Sequence, residues 1–130
     1  MTSFAPEPAH VTELRRQLSR WVADRMPREK RREWDKAHTW DRALFKELAE
    51  MGLIGLTIPE EYGGQGEDIY AAAAVIEELC QGGPSMAGPF IHAAFYGGLN
   101  ISENGSKEQK EALLPKLARG EMFLCYGLSE

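Results

Sequence analysis

A chain of 130 residues, 43% apolar and 27% charged, has the size and composition of one globular domain built on one core. Its net charge of −5 argues against a nucleic-acid partner, and no apolar run approaches the roughly 18 residues needed to span a bilayer. Cys80 and Cys125 form no CxxC pair and no leader pattern precedes a cleavage site, which points to a reducing, cytoplasmic setting. The charge is unevenly spread: residues 1–50 hold eleven basic and nine acidic side chains, residues 51–130 four and eleven. Between Arg15 and Lys36 the basic residues are interleaved with acids, the pattern of a solvated helix face and not of a phosphate-binding strip.

Residues 1–10, with two prolines and no period, read as a loose arm. Val11, Leu14, Leu18, Trp21 and Val22 then recur at helical spacing and predict an amphipathic helix from about Pro8 to Arg25. The next segment, "PREKRREWDKAHTW", is polar and irregular, with Trp34 and Trp40 as its anchors. A second helix follows on the stripe Trp40, Leu44, Leu48 and Met51, and Gly52 is placed to end it in the left-handed conformation. Ile69, Ala72, Ile76 and Leu79 carry a third helix, closed by Gly82-Gly83-Pro84. From Ser85 to Asn100 charge is absent, which predicts a buried central helix. Ser106 and Gln109 form a capping box for the last helical segment, which Pro115 is expected to split in two. After Gly120, "EMFLCYGLSE" has the propensity of a strand with nothing to pair with. The expected fold is therefore an all-α orthogonal domain of five to six helices over residues 11–120, with residues 121–130 as the first strand of a further β-domain, cut short.

The stretch "LIGLTIPEEYGGQGEDIYAAAAVIEEL" has the order of a dinucleotide-binding turn but fails as one. Ile69 stands where a third glycine is needed, and Glu67 and Asp68 would repel a pyrophosphate from the helix start. A tight turn with acids favouring the helix N-terminus is the simpler reading. His10, His38 and His92 share no metal-ligand spacing, and the acidic pairs Glu60-Glu61 and Glu77-Glu78 read as solvated. No complete catalytic constellation is present. His92 draws interest because it lies in the uncharged helix beside Phe95 and Tyr96. Gly97-Gly98 and Gly88-Pro89 would leave room there for something flat or elongated near the backbone.

Together, "FKELAEMGLIGLTIPEEYGGQG", "VIEELCQGGPSMA", "NGSKEQKEALLPKLARGE" and "CYGLSE" resemble the N-terminal region of the acyl-CoA dehydrogenase family over about residues 40–130. The resemblance implies a helical N-terminal domain followed by a middle β-domain and a C-terminal four-helix bundle. FAD would bind between those two, and a carboxylate of the bundle would remove the α-proton of an acyl-CoA while hydride passes to the flavin. It also implies an electron-transfer acceptor and a homo-oligomer. No catalytic base is assigned within residues 1–130.

Carried onto this sequence, the family's flavin-lining segment falls on Tyr126, Leu128 and Ser129, where the Ser129 hydroxyl takes the place of the more frequent threonine. The acyl channel's walls fall on His92, Phe95 and Tyr96. Acyl-CoA oxidases and flavin monooxygenases of this fold share the pattern, and a free-standing helical interaction module is the rival from another class.

Overall fold

In the computed structural model, which describes residues 6–129, helix α1 (Ala9–Arg25) buries Val11, Leu18 and Val22 along one side. That side lies on α4 (Ile69–Gln81), which answers with Ala71, Ala74, Val75 and Leu79. The small alanines let the two helices approach closely. Helix α3 (Arg42–Glu50) adds Leu44, Phe45 and Leu48 to the same core and is N-capped by the Asp41 carboxylate, which accepts from the Ala43 N–H. Gly52, at φ +78°, closes α3 with the Leu53 N–H bonded back to the Leu48 carbonyl, as its position in the sequence predicts.

Two short 3₁₀ turns, Ile54–Thr57 and Glu60–Tyr62, carry the chain from α3 to α4. They fold so tightly that a Cβ on Gly64 would lie 1.9 Å from the Ile58 carbonyl oxygen, so only glycine fits. The Asp68 side chain accepts from the Ala71 N–H and caps α4 itself. Asp68 therefore takes up a helix N-terminal donor that a phosphate would have used.

The uncharged segment is one continuous helical rod in three parts: α5 (Pro84–Ile91), a π-helical stretch (His92–Leu99) and α6 (Asn100–Asn104). Met86, Ala87, Phe90, Ala93 and Ala94 bury it in the main core, the central position the sequence predicts. Helix α7 (Lys107–Ala118) opens on the Ser106/Gln109 capping box, both halves of which are made. Leu114 and Leu117 pack with Ile58 in a second cluster. Counting the rod once, the described residues form an all-α domain of six helices.

Four details depart from the sequence reading. The segment taken as irregular is helix α2 (Arg28–Ala37): it buries no residue, so it has no apolar stripe to read. Glu29 in its first turn and Lys36 in its last suit the helix dipole, and Trp34 packs its edge on the core. Met51 and Ile69, assigned to buried stripes, are 46% and 42% exposed. Pro115 does not split α7. The bond it forgoes is to the carbonyl of Glu111, an exposed residue, while Leu114, Leu117 and Ala118 hold the turn from the buried side. Residues 121–129 form no strand, and there is no strand among the described residues. A ladder needs a partner, and this segment finds side-chain docking instead.

Candidate functional site

Gly120, at φ +65°, ends α7 with the Glu121 N–H bonded to the Lys116 carbonyl, and this turn sends residues 121–129 back across the π-helical stretch. Three contacts fix their course. Phe123 enters an aromatic cluster with Trp40 and Phe45, centroids 5.0 and 4.5 Å away, with the Arg42 guanidinium 5.3 Å over its ring. Leu124 occupies the space over Gly97, where a Cβ would come within 2.5 Å of its Cδ1. The Tyr126 N–H then donates to His92 Nδ1 at 3.3 Å.

The result is a ledge of three rings: His92 stands edge-on to Tyr96 at 5.1 Å, and Tyr96 lies 5.0 Å from Tyr126. Tyr96 is 45% exposed, Tyr126 52% and Leu128 70%. Because Nδ1 of His92 accepts, its ring proton resides on Nε2. No charged residue occurs from Pro84 to Ser102, so the ledge is apolar along its helical side. Large exposed rings without charge are what a flat, mostly apolar ligand would cover.

The structure thus brings His92, Tyr96 and Tyr126 together, with Leu128 and Ser129 next along the chain and exposed. Phe95 is half-buried and packs against the main core. The room expected at Gly97 and Gly98 is filled from within: a Cβ on Gly98 would meet Thr57 Oγ1 at 2.8 Å. Of Gly88, Gly97 and Gly98, Gly88 alone faces open space.

Sequence reasoning missed two polar groups that hold this architecture. The hydroxyl of Thr57, fully buried, donates to the Ala94 carbonyl inside the π-helical stretch. A π turn spreads its carbonyls enough to admit such a donor, and nothing in the sequence marks Thr57. The other is Glu78, buried where the acidic pair was read as solvated. Arg15 reaches it at 3.3 Å, and also binds Glu77 at 2.5 Å and Glu7 at 2.7 Å. These carboxylates push the Arg15 guanidinium well above its ordinary value. Its position was legible: Arg15 follows Val11 and precedes Leu18 on the buried side of α1, and Glu78 follows Ala71, Ala74 and Val75 on that of α4. Elsewhere the Ala71 N–H, and secondarily His10 at 2.7 Å, hold the Asp68 carboxyl below its usual range against the opposing effect of burial. Arg25 does the same for Glu47, again against burial, with a smaller share from the Trp21 indole N–H.

Residues 8–121 match the family described as acyl-CoA dehydrogenase, N-terminal domain, and the chain belongs to that family. Among relatives, acyl-CoA dehydrogenase FadE12 of Mycobacterium tuberculosis is 30% identical over 129 residues, which is 99% of this chain and 32% of that protein. The human mitochondrial short-chain specific acyl-CoA dehydrogenase is 36% identical over 97 residues, 74% of this chain and 23% of the relative. The short-chain specific acyl-CoA dehydrogenase of Clostridium acetobutylicum is 32% identical over 119 residues, covering 91% and 31%. The chain spans about a third or less of the length of these relatives. Among the described residues, no helix is long and apolar enough to cross a membrane.

Proposed function

We propose that the chain is the helical N-terminal domain of an FAD-dependent acyl-CoA dehydrogenase, a cytoplasmic homo-oligomer that desaturates an acyl-CoA thioester between its α and β carbons and passes the electrons to a separate acceptor. Residues 121–130 are then the entry to the family's middle β-domain. Membership of the family supports the reaction class. The single observation that carries the site is the convergence of two segments 34 residues apart, through the Tyr126 N–H on His92 Nδ1. It sets the residues assigned to the flavin edge beside those assigned to the acyl wall, the adjacency that hydride transfer from substrate to flavin requires.

The residues at hand suit a flavin. An isoalloxazine ring needs apolar contact on its body and hydrogen-bonding groups along its polar edge. Leu128 offers an exposed apolar side chain, and Ser129 offers a hydroxyl on an exposed segment. When bound, FAD would supply the acceptor for the β-hydride. Within this chain Tyr126, Leu128 and Ser129 position and cover the ring's edge, His92 holds the Tyr126 backbone in place, and Tyr96 sets the limit of the acyl channel. Phe95, from the core side, backs that wall. The base that takes the α-proton belongs to another part of the protein, so residues 1–130 alone are inactive.

The test uses the protein at the family's full length: it should purify yellow with stoichiometric FAD and reduce a dye only when an acyl-CoA is supplied. Residues 1–130 expressed alone should be colourless and inert. A full-length protein without flavin, or one whose dye reduction ignores acyl-CoA, would overturn the proposal. An acyl-CoA-dependent enzyme that makes hydrogen peroxide without a dye would favour the oxidase instead.

A further inference from the structure

Away from the aromatic ledge, α2 and the turn between α4 and α5 border an open cleft of about 530 Å³. Arg28, Arg31, Arg32, Trp34 and His38 line it from α2 and its C-terminal turn, and Gly82 to Ser85 from the turn into α5. The arginines of α2, read from the sequence as a solvated face, are thereby gathered around one concave space. None of the three is ion-paired among the described residues, although acids outnumber bases in the chain. Arg31 is the most constrained. Its stem lies against Gly83, its Nη1 donates to the Gln81 carbonyl at 3.2 Å, and its Nε is buried with no acceptor. A guanidinium held in this way with no carboxylate on it is a fixed positive charge at the edge of the cleft, suited to an anion.

The remaining lining narrows the ligand. Trp34 is half-buried against the core, which fixes its ring as a wall on which a flat heterocycle can stack. Asp35 and the hydroxyls of Thr39 and Ser85 disfavour a ligand that is anionic throughout and suit one carrying hydroxyl or amino donors. The volume falls in the range of small-molecule sites, about 300–1,000 Å³. We infer that this cleft is a binding site for a phosphorylated small molecule with a flat ring, of the mononucleotide class. Arg31 and Arg32 hold the phosphate and Trp34 the ring. The site is separate from the ledge and does not rest on the proposed dehydrogenase activity.

Isothermal titration of the protein with ADP, adenosine and inorganic phosphate tests this. ADP should bind saturably, and adenosine and phosphate each at least about tenfold more weakly, since each makes only part of the contacts. Arg32→Gln changes an exposed residue and leaves the fold intact; it should weaken ADP by about tenfold, as should Arg31→Gln, while Arg20→Gln on α1 changes it less than twofold. Trp34→Leu should weaken ADP but not phosphate. The inference is overturned if ADP gives no saturable heat, or if Arg20→Gln weakens it as much as Arg32→Gln. It is equally overturned if Tyr126→Ala abolishes ADP binding, which would place the nucleotide at the ledge.

Discussion

The α1–α4 pair and the π-helical ledge solve the same problem, joining segments distant in sequence, with opposite materials. Between α1 and α4 an apolar seam of alanines and β-branched residues is bordered by charge: Arg15 with Glu7, Glu77 and Glu78 near its middle, His10 with Asp68 at the end. At the ledge there is no ion pair among the described residues. Gly97 and Gly98 remove side chains so that Leu124 and Thr57 can enter, and the rings of His92, Tyr96 and Tyr126 stay half in the open. The first region is finished within this chain. The second has exposed apolar surface that something else is suited to cover, and that difference is why the proposed function is built on it.

The sharpest way to break the comparison is to overfill the ledge's foundation. Gly98→Val should destabilise the domain by roughly 2–3 kcal/mol, because the new side chain meets Thr57 and Ile58, neither of which has room to move. Urea unfolding would register it as a lower midpoint. On the charged side, Arg15→Ala should cost about 1–3 kcal/mol by leaving the Glu78 carboxylate buried without its cation. Adding Glu78→Leu to that variant should recover part of the loss, and its failure to do so would mean that the guanidinium stem, not the charge, is what matters.

Smaller still is the cap of α4. Asp68→Ala should cost about 1 kcal/mol, whereas Asp68→Asn keeps a capping side chain and should cost less. The two also separate by pH. Asp68 titrates below its ordinary 3.8 in the folded chain, so the stability it contributes is complete above that value and disappears as pH falls through the lower folded one. Wild type and Asp68→Asn should therefore differ at pH 7 and converge on acidification, as measured by thermal melts between pH 2 and 7. Convergence is expected from the charged side of the molecule, since among the described residues the ledge contacts involve no carboxylate.

The smallest effect on stability, and the largest on activity, belongs to Tyr96. Its ring is nearly half exposed in this chain, so Tyr96→Ala should change the stability of residues 1–130 by only about 0.5 kcal/mol, as read by urea unfolding. If it walls the acyl channel, the profile of kcat/KM against acyl length in the full-length enzyme should move toward longer or bulkier groups. An unchanged profile would make Tyr96 a packing residue and leave the ledge without its proposed role.

Most of the helices were legible because burial leaves a period: Val11, Leu18 and Val22, or Leu44 and Leu48, cannot be on one face by accident of loop structure. Local chemistry also read true at Gly52 and at the Ser106/Gln109 box, where the residue type directly supplies the needed conformation or bond. What failed was decided by tertiary context. Helix α2 lacks a buried residue, Pro115 is carried by the packing around it, and the propensity of residues 121–129 for a strand has no ladder to realise it. Of the site, the candidate residues were named from resemblance and residue type. Their meeting through Tyr126 and His92 was not, because no pattern in the sequence encodes a contact between segments 34 residues apart. Nor did the sequence suggest that Thr57 would reach the π-helical carbonyls.

The bond from the Tyr126 amide to His92 also makes the imidazole a built-in reporter. With its lone-pair nitrogen pinned to a backbone donor, the ring is held in a single tautomer, and its two nitrogens should give well-separated pyridine-like and pyrrole-like ¹⁵N resonances. Once Tyr126 lifts away, the proton can exchange between the two positions and the signals should draw together. A label on one histidine therefore reads out the docking of a whole segment without touching it.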